Sequence, residues 1–120
     1  MKLVVRQVGR VAVVDLSGKI TLGEGEVVLR ERLSELLRDG QRHILLNLES
    51  IWYMDSCGIA ELVACYKRAK VNNCTVKLLN PSRRVLDLLR ITMLDEVFEI
   101  YRDETAALCS RVAPTCVAAG

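Results

Sequence analysis

The most constraining stretch of this 120-residue chain is a change of period near its middle. Ile44-Leu45-Leu46-Asn47-Leu48 is an apolar run bounded by polar residues, the pattern of a strand buried on both faces. From Ile59 onward the apolar positions recur as Ile59, Leu62, Val63 and Tyr66, the i, i+3, i+4, i+7 stripe of a helix. Between the two lies Met54-Asp55-Ser56-Cys57-Gly58. A buried strand that leads into an amphipathic helix is the opening of an α/β unit. It puts Asp55 and Ser56 at a helix start, where backbone N–H groups lack intrahelical acceptors and short oxygen-bearing side chains are favoured, so one of the two is expected to cap.

The flanking sequence extends this pattern in both directions. Leu3 to Val8 and Val11 to Leu16 are rich in Val and Leu, and Gly9-Arg10 between them suits a two-residue hairpin turn. Thr21 and Glu24 have the form of a capping box, with Gly23 and Gly25 able to delay the helix start, and Leu29, Leu33, Leu36 and Leu37 supply the apolar stripe before Gly40 ends the helix. Arg30, Arg32 and Arg38 alternate with Glu31, Glu35 and Asp39, which reads as a solvated, salt-bridged face and not as a nucleic-acid surface. In the second helix Lys67, Arg68 and Lys70 complement the dipole of the last turn. Cys74 to Leu79 is the next strand, and Asn80 is placed to cap a helix that begins with Pro81 and turns Val85, Leu86, Leu88 and Leu89 inward. Val97 to Tyr101 reads as a short strand or extended segment, Glu104 to Arg111 as a helix with Ala107 and Leu108 inward, and Pro114 to Gly120 as a frayed end. The order is β, β, α, β, α, β, α, β, α: one α/β domain with a mixed sheet, an N-terminal antiparallel hairpin followed by parallel strands, and about four helices.

Composition excludes several classes. The chain is 51% hydrophobic and 27% charged with a net charge of +2, as expected of a folded globule without a field that steers polyanions. No apolar run approaches the roughly 18 residues of a membrane-spanning helix, so the expected location is cytoplasmic, without membrane insertion or direct nucleic-acid binding. Five cysteines, an odd number without C-x-x-C spacing, support neither a disulfide framework nor a zinc site.

The chain resembles the STAS domain family, in particular the bacterial anti-sigma factor antagonists, in which Asp-Ser-Ser-Gly-Leu or a close variant follows a buried strand and opens a helix. Here the motif reads Asp55-Ser56-Cys57-Gly58-Ile59, and the resemblance runs over nearly the whole chain, with residues 1–112 as the STAS domain and 113–120 as a flexible tail. It implies that Ser56 is the phosphoacceptor of an anti-sigma factor that is also a serine kinase. The unphosphorylated protein would bind that kinase and release a sigma factor, and a serine phosphatase would act on phosphorylated Ser56. Met54, Asp55, Ser56, Cys57, Gly58 and Ile59, with Thr21 and Gly23 from the neighbouring loop, are the implied contact residues, and no cofactor or metal is implied. Cys57 departs from the family pattern, where many members carry a second serine. The alternative within the same family is an adaptor domain in a lipid-transport or stress-sensing complex.

The residues themselves give little to an enzyme. Ser56 or Cys57 could serve as a nucleophile, but the only histidine, His43, lies at the far end of the strand, roughly 15–20 Å away at about 3.3 Å per residue. Met54 stands where G-x-S-x-G needs glycine, and around Gly18-Lys19 both Val13 and Ile20 break the phosphate-loop pattern. For Cys57 the helix start lowers the thiol pKa while Asp55 raises it. Trp52 and Tyr53, just before the turn, suit either a protein contact or the core.

Overall fold

The central strand of the sheet is much longer than its apolar run. In the computed structural model, which describes residues 1–109, β3 spans His43–Met54, twelve residues. It lies in a five-stranded sheet with β1 (Lys2–Val8), β2 (Val11–Ile20), β4 (Thr75–Leu79) and β5 (Ile100–Tyr101) in sequence order across the sheet. β1 and β2 form the antiparallel hairpin, and every later pairing is parallel. Because the strand order always advances in one direction, right-handed crossovers must place the three connecting helices on one face. α1 (Glu26–Arg38), α2 (Ser56–Val71) and α3 (Arg83–Ile91) do lie there, closing Leu29, Leu33, Leu62, Cys65, Val85 and Leu89 over Val14, Leu16, Ile44, Leu46 and Leu48. Phe98 completes this core edge-to-face against Tyr66, with ring centroids 5.2 Å apart.

The opposite face is smaller. Ala107 of α4 (Glu104–Cys109) covers Val11, Val13, Leu45 and Leu79, with Leu108 packed beside it. The helix is tied down by charge: Arg6 on β1 donates to Asp15 at 2.6 Å and to Glu104 at 2.9 Å, and Asn47 donates to Asp15 at 2.8 Å. Arg6 thereby holds the Asp15 carboxyl below its usual range. Arg111 and residues 113–120 lie outside the described residues.

Two expectations need correction. Thr21 and Glu24 do not form a capping box: each donates its backbone N–H to the other's carbonyl, at 2.7 and 3.0 Å, closing a small loop, and α1 starts only after Gly25. Asn80 does not cap α3: it adopts a left-handed φ of 50° and gives its N–H to Tyr101, while Ser82 takes the cap position. The charged face of α1 is exposed and salt-bridged as expected, and it also reaches α2: Arg30 pairs with Glu26 at 3.5 Å and with Glu61 of α2 at 3.1 Å, and Arg68 reaches the same carboxylate at 2.5 Å. Glu61 is 5% exposed, so these two guanidiniums offset a charge that burial would otherwise penalise, and they lock α1 to α2. Arg32 pairs with Glu35 on the surface as the pattern predicts.

Candidate functional site

β4 pairs with β3 only as far as Asn47, so residues 48–54 run on past β4 with β2 as their one paired strand among the described residues. α3 settles against this overhang, and the Ser82 hydroxyl donates to the Ile51 carbonyl at 2.8 Å. The result is an open groove of about 860 Å³ between the end of β3, the first turn of α2 and α3. Tyr53, Met54, Asp55, Ser56 and Ile59 line one side, and Arg83, Arg84, Asp87, Leu88 and Ile91 the other.

Asp55 is the N-cap of α2. Its extended backbone turns the carboxylate back on the helix, where Oδ1 accepts the N–H groups of Cys57 at 2.9 Å and Gly58 at 3.0 Å. The second oxygen, Oδ2, accepts the Leu22 N–H at 3.2 Å from the β2–α1 loop. One carboxylate therefore starts the helix and fastens the loop carrying Thr21 and Gly23 beside it. These bonds, that from Gly58 first, hold the Asp55 carboxyl below its usual range, so it is ionised at neutral pH.

Ser56, the first helical residue, is exposed, and its hydroxyl has no hydrogen-bond partner among the described residues. Gly58 is buried and explains why this turn sits so tightly on the sheet: a Cβ there would fall within 3.0 Å of both the Ile20 carbonyl oxygen and Met54 Cγ. Ile20 is also the residue whose carbonyl accepts the Asp55 N–H, at 3.4 Å. Cys57 is half-buried, and the competition over its thiol resolves upward: desolvation raises the pKa first, followed by the charges of Asp55 and Glu26. Trp52 and Tyr53 both prove to be surface residues, 59% and 37% exposed, with Lys19 over the Trp52 ring and Arg84 over the Tyr53 ring.

The eight residues singled out by sequence thus fall together, Thr21 and Gly23 through the loop that Asp55 holds. Sequence reasoning missed the far wall of the groove. Arg83 and Arg84 occupy the first turn of α3, which holds no acidic residue, although cations are disfavoured at that end of a helix dipole. That local conflict was the available signal. His43 is farther from Ser56 than expected, because the strand between them has twelve residues: about 35 Å of chain path at about 3.3 Å per residue. Its Nδ1 lies 3.0 Å from Thr75 Oγ1. Among the described residues no three His, Cys, Asp or Glu side chains converge to hold a metal ion, and no helix is long and apolar enough to cross a membrane.

The STAS domain family model matches residues 2–107. The anti-sigma-B factor antagonist of Bacillus subtilis (strain 168) is 33% identical over 87 residues, spanning 72% of this chain and 78% of that protein. Among solved structures, an anti-sigma factor antagonist from Mycobacterium paratuberculosis superposes with a TM-score of 0.81 at 20% identity, over 91% of this chain and 92% of that one. The Bacillus cell fate determinant SpoIIAA in its phosphorylated form does so with a TM-score of 0.72 at 22% identity, over 92% and 99%. At such identities the two superpositions concern the fold.

Proposed function

This chain belongs to the STAS domain family, and from that premise we propose that it is an anti-sigma factor antagonist whose unphosphorylated form binds an anti-sigma factor serine kinase and releases a sigma factor. Phosphorylation of Ser56 by that kinase ends the binding, and a serine phosphatase restores it. In the transfer, Ser56 Oγ forms a bond to the γ-phosphorus of ATP as the bond to the bridging oxygen breaks. ADP leaves, and the serine proton passes to a base of the kinase.

The observation that carries this reading is the free, exposed hydroxyl of Ser56 on a helix terminus already fixed by Asp55. A nucleophile so placed can enter a partner's active site without local unfolding. No base among the described residues activates it for chemistry of its own, since the neighbouring carboxylate spends its oxygens on backbone N–H groups and the histidine is at the far end of β3. The family is one of regulatory binding proteins, which fits a protein read by a partner's catalytic site.

A phosphate adds about −1.5 to −2 charges beside Asp55 in a contact formed with the neutral hydroxyl, and every 1.4 kcal/mol of desolvation or repulsion weakens binding about tenfold. Calorimetry with the kinase partner recovered from native cytosol is the test. Ser56→Ala should bind it and resist phosphorylation by ATP, whereas Ser56→Asp should keep native circular dichroism and bind at least tenfold more weakly. Equal affinities for the phosphorylated and unphosphorylated forms would refute the switch.

A further inference from the structure

We infer that Arg83 and Arg84, on the first turn of α3, form an intramolecular receptor for the phosphate carried by Ser56 across the groove. This inference rests on the reading of Ser56 as the phosphoacceptor, and adds the group that receives the modification.

Three observations converge on it. Both arginines line the same groove as Ser56, and neither pairs with a carboxylate among the described residues. Arg84 has its guanidinium carbon 5.8 Å from the centre of the Tyr53 ring, which anchors it at the end of the strand that delivers Ser56. Both stand at a helix N-terminus, where the dipole opposes positive charge and no acidic residue of that turn compensates. Residues that contradict the local preference without a carboxylate partner are expected at functional sites, and an anion facing them would remove the conflict.

The N-terminus of α2 leaves a phosphate little else to bind. Of the four N–H groups that this helix start leaves without an intrahelical acceptor, that of Asp55 goes to the Ile20 carbonyl and those of Cys57 and Gly58 to the Asp55 carboxylate. Only the Ser56 N–H remains, so the backbone cradle that receives anions at many helix starts is taken. A dianion on Ser56 meets Asp55 in its own turn, Asp87 across the groove and Glu26 of α1, whose charge reaches Cys57. Two guanidiniums can offset these charges, and their planar forks match phosphate oxygens. The phosphate is drawn toward α3, filling the groove at the point where a partner would enter it.

The test uses the full chain with phosphoserine incorporated at position 56 during translation, which removes any dependence on a kinase. Phosphorus NMR then follows the second ionisation of the phosphate. In the wild-type chain it should fall below the ordinary value of about 6, and Arg83→Gln and Arg84→Gln should each raise it, by roughly half a pH unit or more in the double variant. Lysine at both positions should restore part of the shift, and added salt should shrink it. Circular dichroism checks that each variant is folded. Should the glutamine variants fail to fold, the salt titration of the wild-type chain decides alone: an unshifted, salt-independent ionisation overturns the inference. Equal values in folded wild-type and double-variant chains overturn it as well. Failure of the switch itself registers separately, as unchanged partner affinity of a phosphorylated chain whose ionisation is still shifted.

Discussion

Replacing Gly58 with alanine sets two effects of opposite sign against each other, and the geometry decides between them. Alanine is favoured over glycine in a helix interior by about 1 kcal/mol, because glycine gives up more backbone freedom on folding. Gly58 lies in the first turn of α2, so the gain there is at most that large. Against it stands a Cβ placed 2.5 Å from Met54 Cγ and closer still to the Ile20 carbonyl oxygen. The Met54 side chain can swing, although it is 2% exposed and has little room. The Ile20 carbonyl cannot, since it ends β2, pairs with β3 at Met54 and accepts the Asp55 N–H. Relief therefore requires α2 to lift from the sheet, and overpacking of this kind costs about 1–3 kcal/mol.

Overpacking should win by about 1 kcal/mol, which in a domain of this size lowers the melting temperature by about 3–5 °C. Thermal and urea unfolding of Gly58→Ala measure it. Gly23→Ala is the control, because a Cβ there meets nothing within 4 Å and only the φ of 77° resists it. A Gly58→Ala chain as stable as the wild type would show that the close approach is soft and that the glycine is not required by packing.

Two further outcomes follow from the site. Asp55→Asn keeps an amide oxygen for Cys57 and Gly58 but puts an NH2 group opposite the Leu22 N–H, so hydrogen exchange at Leu22 should accelerate while α2 stays protected; unchanged Leu22 exchange would contradict the fastening role. Asp55 has a folded-state pKa below its unfolded value, so its contribution to stability is present above the unfolded pKa, near 3.8, and is lost as pH falls through the folded one. The same substitution should accordingly flatten the acid limb of the stability curve below about pH 4 without altering its slope at neutral pH. For the thiols, burial pushes Cys65 up to about 12 and Cys74 up to about 11. Among the four described cysteines, a disulfide reagent at mildly alkaline pH should therefore modify exposed Cys109 and half-buried Cys57 first, and Cys65 only on unfolding, as mass spectrometry of partly modified protein would report. Modification of Cys65 in the folded chain as fast as Cys57 would sink that order.

What could be read from the sequence was whatever repeats with a local period. The hairpin and the strand–turn–helix around Asp55 rest on spacing within a few residues and stand in the structure, whereas the inward face of α2 is rotated from the expected stripe: Leu62 is buried with Gly58, Glu61, Cys65 and Ala69, Ile59 and Tyr66 pack at its edge, and Val63 is outside the core. β3 was cut short because Glu49 and Ser50 interrupt its apolar run. Both are exposed, and the strand persists through them because β2 continues to pair with it across two register shifts. Glu24 misled through its side chain, whose capping-box position meant nothing once backbone bonds to Thr21 had closed the loop. A neighbouring strand overrode the local signal in β3, a competing local turn did so at Glu24, and distant partners do so for Glu61, whose two arginines lie 31 residues before it and seven after.

The candidate site divides along the same line. Residues 54–59 are contiguous, so one motif displayed them all, and Asp55 as a helix cap needed only the knowledge of which groups a helix start leaves unpaired. Its second oxygen could not be read so, because the bond to Leu22 depends on β2 ending beside β3, a consequence of parallel pairing over some thirty intervening residues. That second bond changes what the turn can do. A carboxylate that only capped α2 could swing aside for an incoming phosphate and surrender its N–H groups, whereas one that also fastens the β2–α1 loop would release Leu22 by doing so. The helix terminus that sequence alone offers as an anion cradle is thus already committed to Asp55, and under the proposed phosphorylation of Ser56 the cations that line the groove among the described residues are Arg83 and Arg84 on its far wall.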